Sequence, residues 1–189
     1  ASGKTTASKI LSHKKGPLFS ADKIVKNIYK NNNFKKLLAK KFNIKKKFNL
    51  KNLLKRKILN NKTNIKILEK IIHPKVRKEM KKFSRMKRNK KIIFYEIPLL
   101  VESKLMKYFD IVIFIKAKKK IRLKRFKLRG GEEKLFNILN NRQLLDSKKI
   151  KFCDYVVVNE KNLEILKKNL FSIIKKYVWS FFRHWNYRF

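Results

Sequence analysis

Apolar residues recur at helical spacing over most of this chain and close into short unbroken runs at a few places. From Lys4 to Lys14 the pattern predicts a helix with Ile10 and Leu11 on its apolar face. Gly16-Pro17 ends it, and Leu18-Phe19 forms a very short strand-like run that closes at Ser20-Ala21-Asp22. A second helix is expected from Asp22 to Lys30, with Ile24, Val25 and Ile28 on one side and Asp22 as its N-cap. Asn31-Asn32-Asn33 marks a loop. From Phe34 to Lys90 the spacing is helical throughout, carried by Leu37, Leu38 and Phe42, by Leu50, Leu53, Leu54 and Ile58, and by Ile65 through Phe83. Pro74 is expected to interrupt or kink the last of these helices.

The period then changes. Ile92–Ile97, Ile111–Ile115 and Tyr155–Val158 are continuous apolar runs rich in β-branched and aromatic residues. Runs of this kind, separated by helical stretches, indicate buried parallel strands. The intervening helices are expected near Leu99–Lys107, Lys118–Leu128 and Glu132–Ser147, with a last one from Asn162 to about Phe182. The fold class that follows is α/β with an inserted, Lys- and Asn-rich helical lobe.

Composition narrows the field. The 189 residues carry 54 Lys+Arg against 12 Asp+Glu, a formal charge of +42, while 43% hydrophobic residues argue against disorder. One cysteine, Cys153, excludes a disulfide framework, and with three histidines beside it a zinc cluster is not expected. No apolar run reaches the roughly 20 residues of a membrane helix. Nothing apolar behind Ala1–Thr6 suggests a signal peptide, so a cytoplasmic setting is the default. The positive charge would attract any polyanion, and a basic nucleic-acid-binding protein is one reading of it. The excess is spread over every segment and is mostly Lys, however, whereas base readers favour Arg on a defined surface. Compositional drift is the favoured reading, and nucleic acid is not expected as a specific partner. With acids so scarce, each one stands out.

Ser2-Gly3-Lys4-Thr5 is the back half of the phosphate-loop pattern G-x-x-x-x-G-K-[ST], in which backbone N–H groups surround phosphates, Lys reaches the β/γ oxygens and Thr holds Mg²⁺. The first Gly of the motif would lie before Ala1, as would the strand that precedes it. Alone, the four residues are also compatible with an incidental Gly-Lys, but a helix follows at once and α/β strands come later. Asp22 lies eighteen positions after Lys4, at the end of a short strand, where it could face the same crevice. It is either a base that orients a substrate hydroxyl during phosphoryl transfer or a plain helix cap.

Five blocks in order go beyond generic α/β: Ala1–Thr6, Ser20-Ala21-Asp22, Leu68-Glu69-Lys70-Ile71-Ile72-His73-Pro74, Pro98-Leu99-Leu100-Val101-Glu102, and Gln143–Lys149 with Asp154–Asn159. Together they resemble the dephospho-CoA kinase family, from Ala1 to about Asn159. The resemblance implies a P-loop NTPase-like, three-layer parallel sheet with an inserted helical acceptor-binding lobe and a helical lid, the first strand being missing from this chain. Residues 1–33 and 91–176 would form the nucleotide-binding core, with the lid at about 120–135, and 34–90 the acceptor lobe. Residues 177–189 would be an aromatic tail, suited to a membrane surface or a partner helix, or else read-through sequence.

The implied reaction is transfer of the γ-phosphoryl of ATP, with Mg²⁺, to the ribose 3′-hydroxyl of dephospho-CoA, the last step of coenzyme A synthesis. Ala1, Ser2, Gly3, Lys4, Thr5 and Thr6 would cradle phosphate, Thr5 would hold Mg²⁺, and Lys4 would neutralise charge. Asp22 matches the family's catalytic acid. Arg125 and Arg129, one helical turn apart, would clamp the transferring phosphate, with Gly130-Gly131 as a hinge; a solvated basic face is the alternative. His73 would contact the acceptor and Asn159 the adenine. Glu102 reads as structural, and Gln143 and Lys149 as organising the return from the lid. Ser20 stands where the family usually has a first acid, Ala1 where it usually has Gly, and Asp146 where a basic residue is common. An inactive relic of the kinase is the remaining alternative. Oligomeric state is not legible in the sequence.

Overall fold

The computed structural model describes residues 1–45, 49–61 and 63–185, with side chains described through residue 177. In chain order it contains α1 (Lys4–Ser12), β1 (Leu18–Ser20), α2 (Ala21–Ile28), α3 (Asn32–Lys41), α4 (Leu50–Asn60), α5 (Thr63–Met86) and β2 (Phe94–Glu96). A 3-10 turn, Met106–Tyr108, leads to β3 (Ile113–Lys116), α6 (Lys119–Lys127), α7 (Glu133–Asn140), α8 (Asp146–Ile150), β4 (Tyr155–Val158) and α9 (Leu163–Trp185).

The strands pair in parallel, as the unbroken apolar runs require, in two pairs: β1 with β2, register Leu18↔Phe94 to Ser20↔Glu96, and β3 with β4, register Ile113↔Tyr155 to Lys116↔Val158. Parallel pairing needs a crossover, supplied here by α2–α5 in one case and α6–α8 in the other. Helix α1 packs against both pairs. Its Ala7 and Leu11 join Ile115, Val157 and the α9 residues Leu166, Leu170 and Ile173 in one buried cluster, with Phe94 of β2 at its edge. Alternate strand residues point to opposite faces, so Phe114 faces away from this cluster and carries the Lys149 ammonium of α8 at 5.0 Å from its ring centroid. On that far face α8 covers β3, while Val156 and Val158 of β4 remain exposed.

The second core lies among α3, α4 and α5. Phe34, Leu38, Phe42, Leu50, Leu54 and Ile72 are buried together, with Val25, Ile28 and Tyr29 of the α2 end packed against them. Each side chain so buried contributes about 1.5–3 kcal/mol, which is what holds these Lys-rich helices together against their own charge.

Several expectations are corrected. Asp22 is not a cap: α2 begins at Ala21, Ser20 stands at the N-cap without a side-chain capping bond, and Asp22 lies inside the first turn. Of the three asparagines expected to form a loop, Asn31 is itself a cap, its Oδ1 accepting from Phe34 N at 3.0 Å, and helix α3 starts at Asn32. Pro74 does not end α5, which continues to Met86. Residues 99–107 are turns and a short 3-10 segment in place of a helix, because Leu99 (φ 55°) and Lys104 (φ 54°) are left-handed and break the backbone repeat. The helix expected over 132–147 divides into α7 and α8 around a turn in which Gln143 N bonds Asn140 O and Leu144 N bonds the Glu102 carboxylate. The tail expected at 177–189 falls almost wholly outside the described side chains. Among the described residues no helix is long and apolar enough to cross a membrane.

Candidate active site

The site is assembled where α1 begins. Gly3 holds φ 99° and ψ 16°, a conformation that L side chains rarely adopt, and its carbonyl accepts the first helical bond from Ala7 N at 2.9 Å. A Cβ there would lie 2.1 Å from Asn159 Nδ2. No side chain caps α1 and no acid occupies its first turn. Its leading N–H groups and the positive end of the helix therefore remain available to an anion.

Both strand pairs contribute to this point. The register Ser20↔Glu96 puts the last residues of β1 and β2 side by side. The preceding pair, Phe19 and Tyr95, stacks on the other face at 5.8 Å between ring centroids. Alternation then turns Ser20 and Glu96 toward α1. The buried Glu96 carboxylate accepts from Ser20 Oγ at 2.8 Å and from Thr5 Oγ1. From the other pair, Asn159 extends the ladder by one bond, N to Lys116 O at 2.8 Å, and its Nδ2 donates to Ser2 O at 2.8 Å. Its own carbonyl accepts from Arg125 Nη1 at 3.0 Å. Asn159, expected as an adenine contact, therefore uses its amide nitrogen to brace the loop.

Charge concentrates here. In a chain with 12 acids among 189 residues, Asp22, Glu96 and Glu102 all act electrostatically on Lys4. Lys4 is exposed to solvent along its side chain, yet the surrounding protein crowds its ammonium. That loss of water, with the neighbouring Lys149 charge, lowers its pKa from the ordinary lysine value, and the three acids oppose the shift. Asp22 is held above the usual carboxylate range, first by desolvation and then by the Glu96 charge, with Lys4 and Lys26 pulling the other way. Two carboxylates facing one lysine, with Asp22 raised in its affinity for the proton, form an acid–base arrangement of the kind phosphoryl transfer uses.

Thr5 Oγ1 and the Glu96 carboxylate are hard oxygen donors, which fits a magnesium-like cation held by one or two protein oxygens and by nucleotide phosphates. Among the described residues no cluster of three or more His, Cys, Asp or Glu could hold an ion alone.

Of the residues expected at the site, Ser2, Gly3, Lys4, Thr5, Asp22, Asn159 and Arg125 come together, with Ala1 and Thr6 on the same loop and helix turn. Arg129 is corrected in position: α6 stops at Lys127, so Arg129 stands in the following turn, not one helical turn above Arg125. Both arginines still lie within electrostatic reach of Ala1. Gly131, expected as part of a hinge, is a packing point, since a Cβ there would meet the Phe126 ring at 2.2 Å. His73 stands on α5, lining a cavity of about 400 Å³ with Lys66, Glu69, Lys70, Pro74 and Arg77. Glu96 was not expected. Its signal in the sequence is a single acid closing the apolar run 92–97.

Comparison with known proteins agrees with this geometry. A family model described as dephospho-CoA kinase matches residues 1–164. A dephospho-CoA kinase from Bartonella quintana is 33% identical over 180 residues, 93% of this chain and 92% of the relative. One from Fusobacterium nucleatum is 34% identical over 183 residues, 90% of each. Among solved structures, a dephospho-CoA kinase from Campylobacter jejuni superposes with a TM-score of 0.63 at 27% identity, covering 93% of this chain and 92% of the other. A Thermus thermophilus protein reaches 0.70 at 24% identity with the same coverage, a likeness of fold.

Proposed function

The chain belongs to the dephospho-CoA kinase family, and from that premise we propose that it transfers the γ-phosphoryl of ATP to the ribose 3′-hydroxyl of dephospho-CoA. The product is coenzyme A, and the reaction closes its biosynthesis. The observation that carries the reading is the convergence of Asp22, Glu96 and Lys4 on the uncapped start of α1.

The N–H groups of Gly3, Lys4, Thr5 and Thr6 bind phosphate oxygens, and the Lys4 ammonium offsets charge on the β and γ groups. Asp22 orients the acceptor hydroxyl and takes its proton as the bond to phosphorus forms. Arg125, anchored by the Asn159 carbonyl, and Arg129 face the transferring group from α6 and the turn after it. Thr5 and Glu96 would hold Mg²⁺, which when bound neutralises phosphate charge. The transition state asks little covalent chemistry of the protein, so position and charge set the rate. His73 contributes to the acceptor subsite, and the working compartment is the cytoplasm.

The test is ADP release from MgATP with and without dephospho-CoA, with the product identified by mass. Acceptor-dependent ADP release with a matching gain of one phosphate is expected. Equal ADP release in the presence and absence of dephospho-CoA would overturn the reading.

A further inference from the structure

Helix α7 is tied at both ends to the helices of the second core. At its N-terminus Glu132 accepts from Lys55 of α4 at 2.6 Å. Just past its C-terminus Arg142 Nη2 meets Glu69 Oε2 of α5 at 2.5 Å, both side chains being half-buried. At the other side α7 is stacked on α6 through Phe136 and Phe126, ring centroids 5.7 Å apart. Helix α6 carries Arg125, which reaches the phosphate-loop brace Asn159. A continuous set of contacts thus runs from the loop, through α6 and α7, to α5.

Glu69 is also one helical turn from His73, and both line the cavity with the cations Lys66, Lys70 and Arg77. It is the one acid among those lining residues. A guanidinium drawn into this cationic rim is held there by Glu69, and an exposed pair would not repay it. The half-buried, charge-assisted bond is the stronger kind.

We propose that Arg142 and Glu69 are positioning residues that latch α7 to the acceptor-binding helices, so that the arginines of α6 and its turn close over phosphate only when α5 is in register with them. The proposal rests on the kinase reading. The Lys55–Glu132 pair, more exposed, is the weaker end of the same latch. Loss of the latch leaves the phosphate loop intact but lets water compete with the acceptor hydroxyl.

Uncharged variants of similar size test it: Glu69→Gln, Arg142→Gln and the double variant, whose net charge equals that of the wild type. Each single change is expected to raise KM for dephospho-CoA about tenfold, with KM for ATP within twofold, and to raise acceptor-independent ADP release. The double variant is expected to equal the worse single one, because either change breaks the same bond. Hydrogen exchange of residues 133–140 in the ligand-free protein gives a readout independent of activity, and all three variants should accelerate it equally. Multiplying effects in the double variant, or unchanged exchange in α7, would overturn the latch. If wild-type protein fails to phosphorylate dephospho-CoA while the exchange pattern follows the cycle, the latch stands and the kinase reading falls.

Discussion

Gly3→Ala probes the joint between the phosphate loop and the second strand pair. The substitution meets two obstacles at once. At φ 99° an alanine is strained, at a cost of about 1–2 kcal/mol. The new Cβ would also lie 2.1 Å from Asn159 Nδ2, so the amide must leave. Its 2.8 Å bond to Ser2 O is then lost, at about 1 kcal/mol net. The sum is about 2–3 kcal/mol. If the loop remodels to relieve the strain, the cost is felt by the nucleotide, as about 30- to 150-fold weaker ATP binding. If the loop keeps its shape, the cost is felt in stability, as a fall of about 4–12 °C in Tm. Isothermal titration with ATP and a melting curve on the same preparation capture both routes. Adding Asn159→Ala to Gly3→Ala removes the collision but restores neither the backbone geometry nor the bond to Ser2 O, so the double variant should lose about as much as Gly3→Ala alone. A Gly3→Ala protein that binds ATP within threefold of wild type and melts within 1 °C of it would refute the reasoning.

Asp22 gives a pH prediction. Burial and Glu96 raise its pKa, so the folded state holds that proton more tightly than the unfolded chain. The charged carboxylate therefore costs stability above its folded-state pKa, and the cost fades as pH falls, vanishing below about pH 4. Asp22→Asn should melt higher than wild type near neutrality, with the difference disappearing in acid. Since the base must be ionised, kcat should fall on an acid limb above the ordinary aspartate range; Glu96→Gln, which removes the like charge, should move that limb to lower pH. Thr5→Val should raise the half-saturating Mg²⁺ concentration about 10- to 100-fold, whereas Thr5→Ser, which keeps the hydroxyl, should not; a magnesium titration of kcat checks both. Leu38→Ala, at a position with 0% exposure, should lower stability by about 2–5 kcal/mol in a urea melt.

Much of the fold is legible because two periods alternate cleanly. The run Tyr155–Val158 coincides with β4, and α1, β1 and α6 begin and end within two residues of the pattern. What the pattern misses has local causes. Helical spacing over 99–107 is real, yet two left-handed residues cancel it, and neither is Gly or Asn, so nothing in composition announces them. The split between α7 and α8 depends on Glu102 accepting Leu144 N, a partner 42 positions away. At the site, Lys4 and Thr5 are legible through a loop motif, and Asp22 through its place at a strand end. Glu96 escapes because, in sequence, it reads as one more residue of a buried strand. Only the parallel register with Ser20 shows that its face is the one toward α1.

The central claim is that Asp22 and the α1 loop together drive transfer to one hydroxyl of dephospho-CoA. Phosphorus NMR of the product from wild-type protein and from Asp22→Asn, both shown to bind ATP equally, tests it most directly. The account predicts a single new monophosphate resonance coupled to the ribose 3′ position with wild type, and its loss, by about 100-fold or more in rate, with Asp22→Asn. A product phosphorylated elsewhere, or an Asp22→Asn protein that turns over at the wild-type rate, would contradict it.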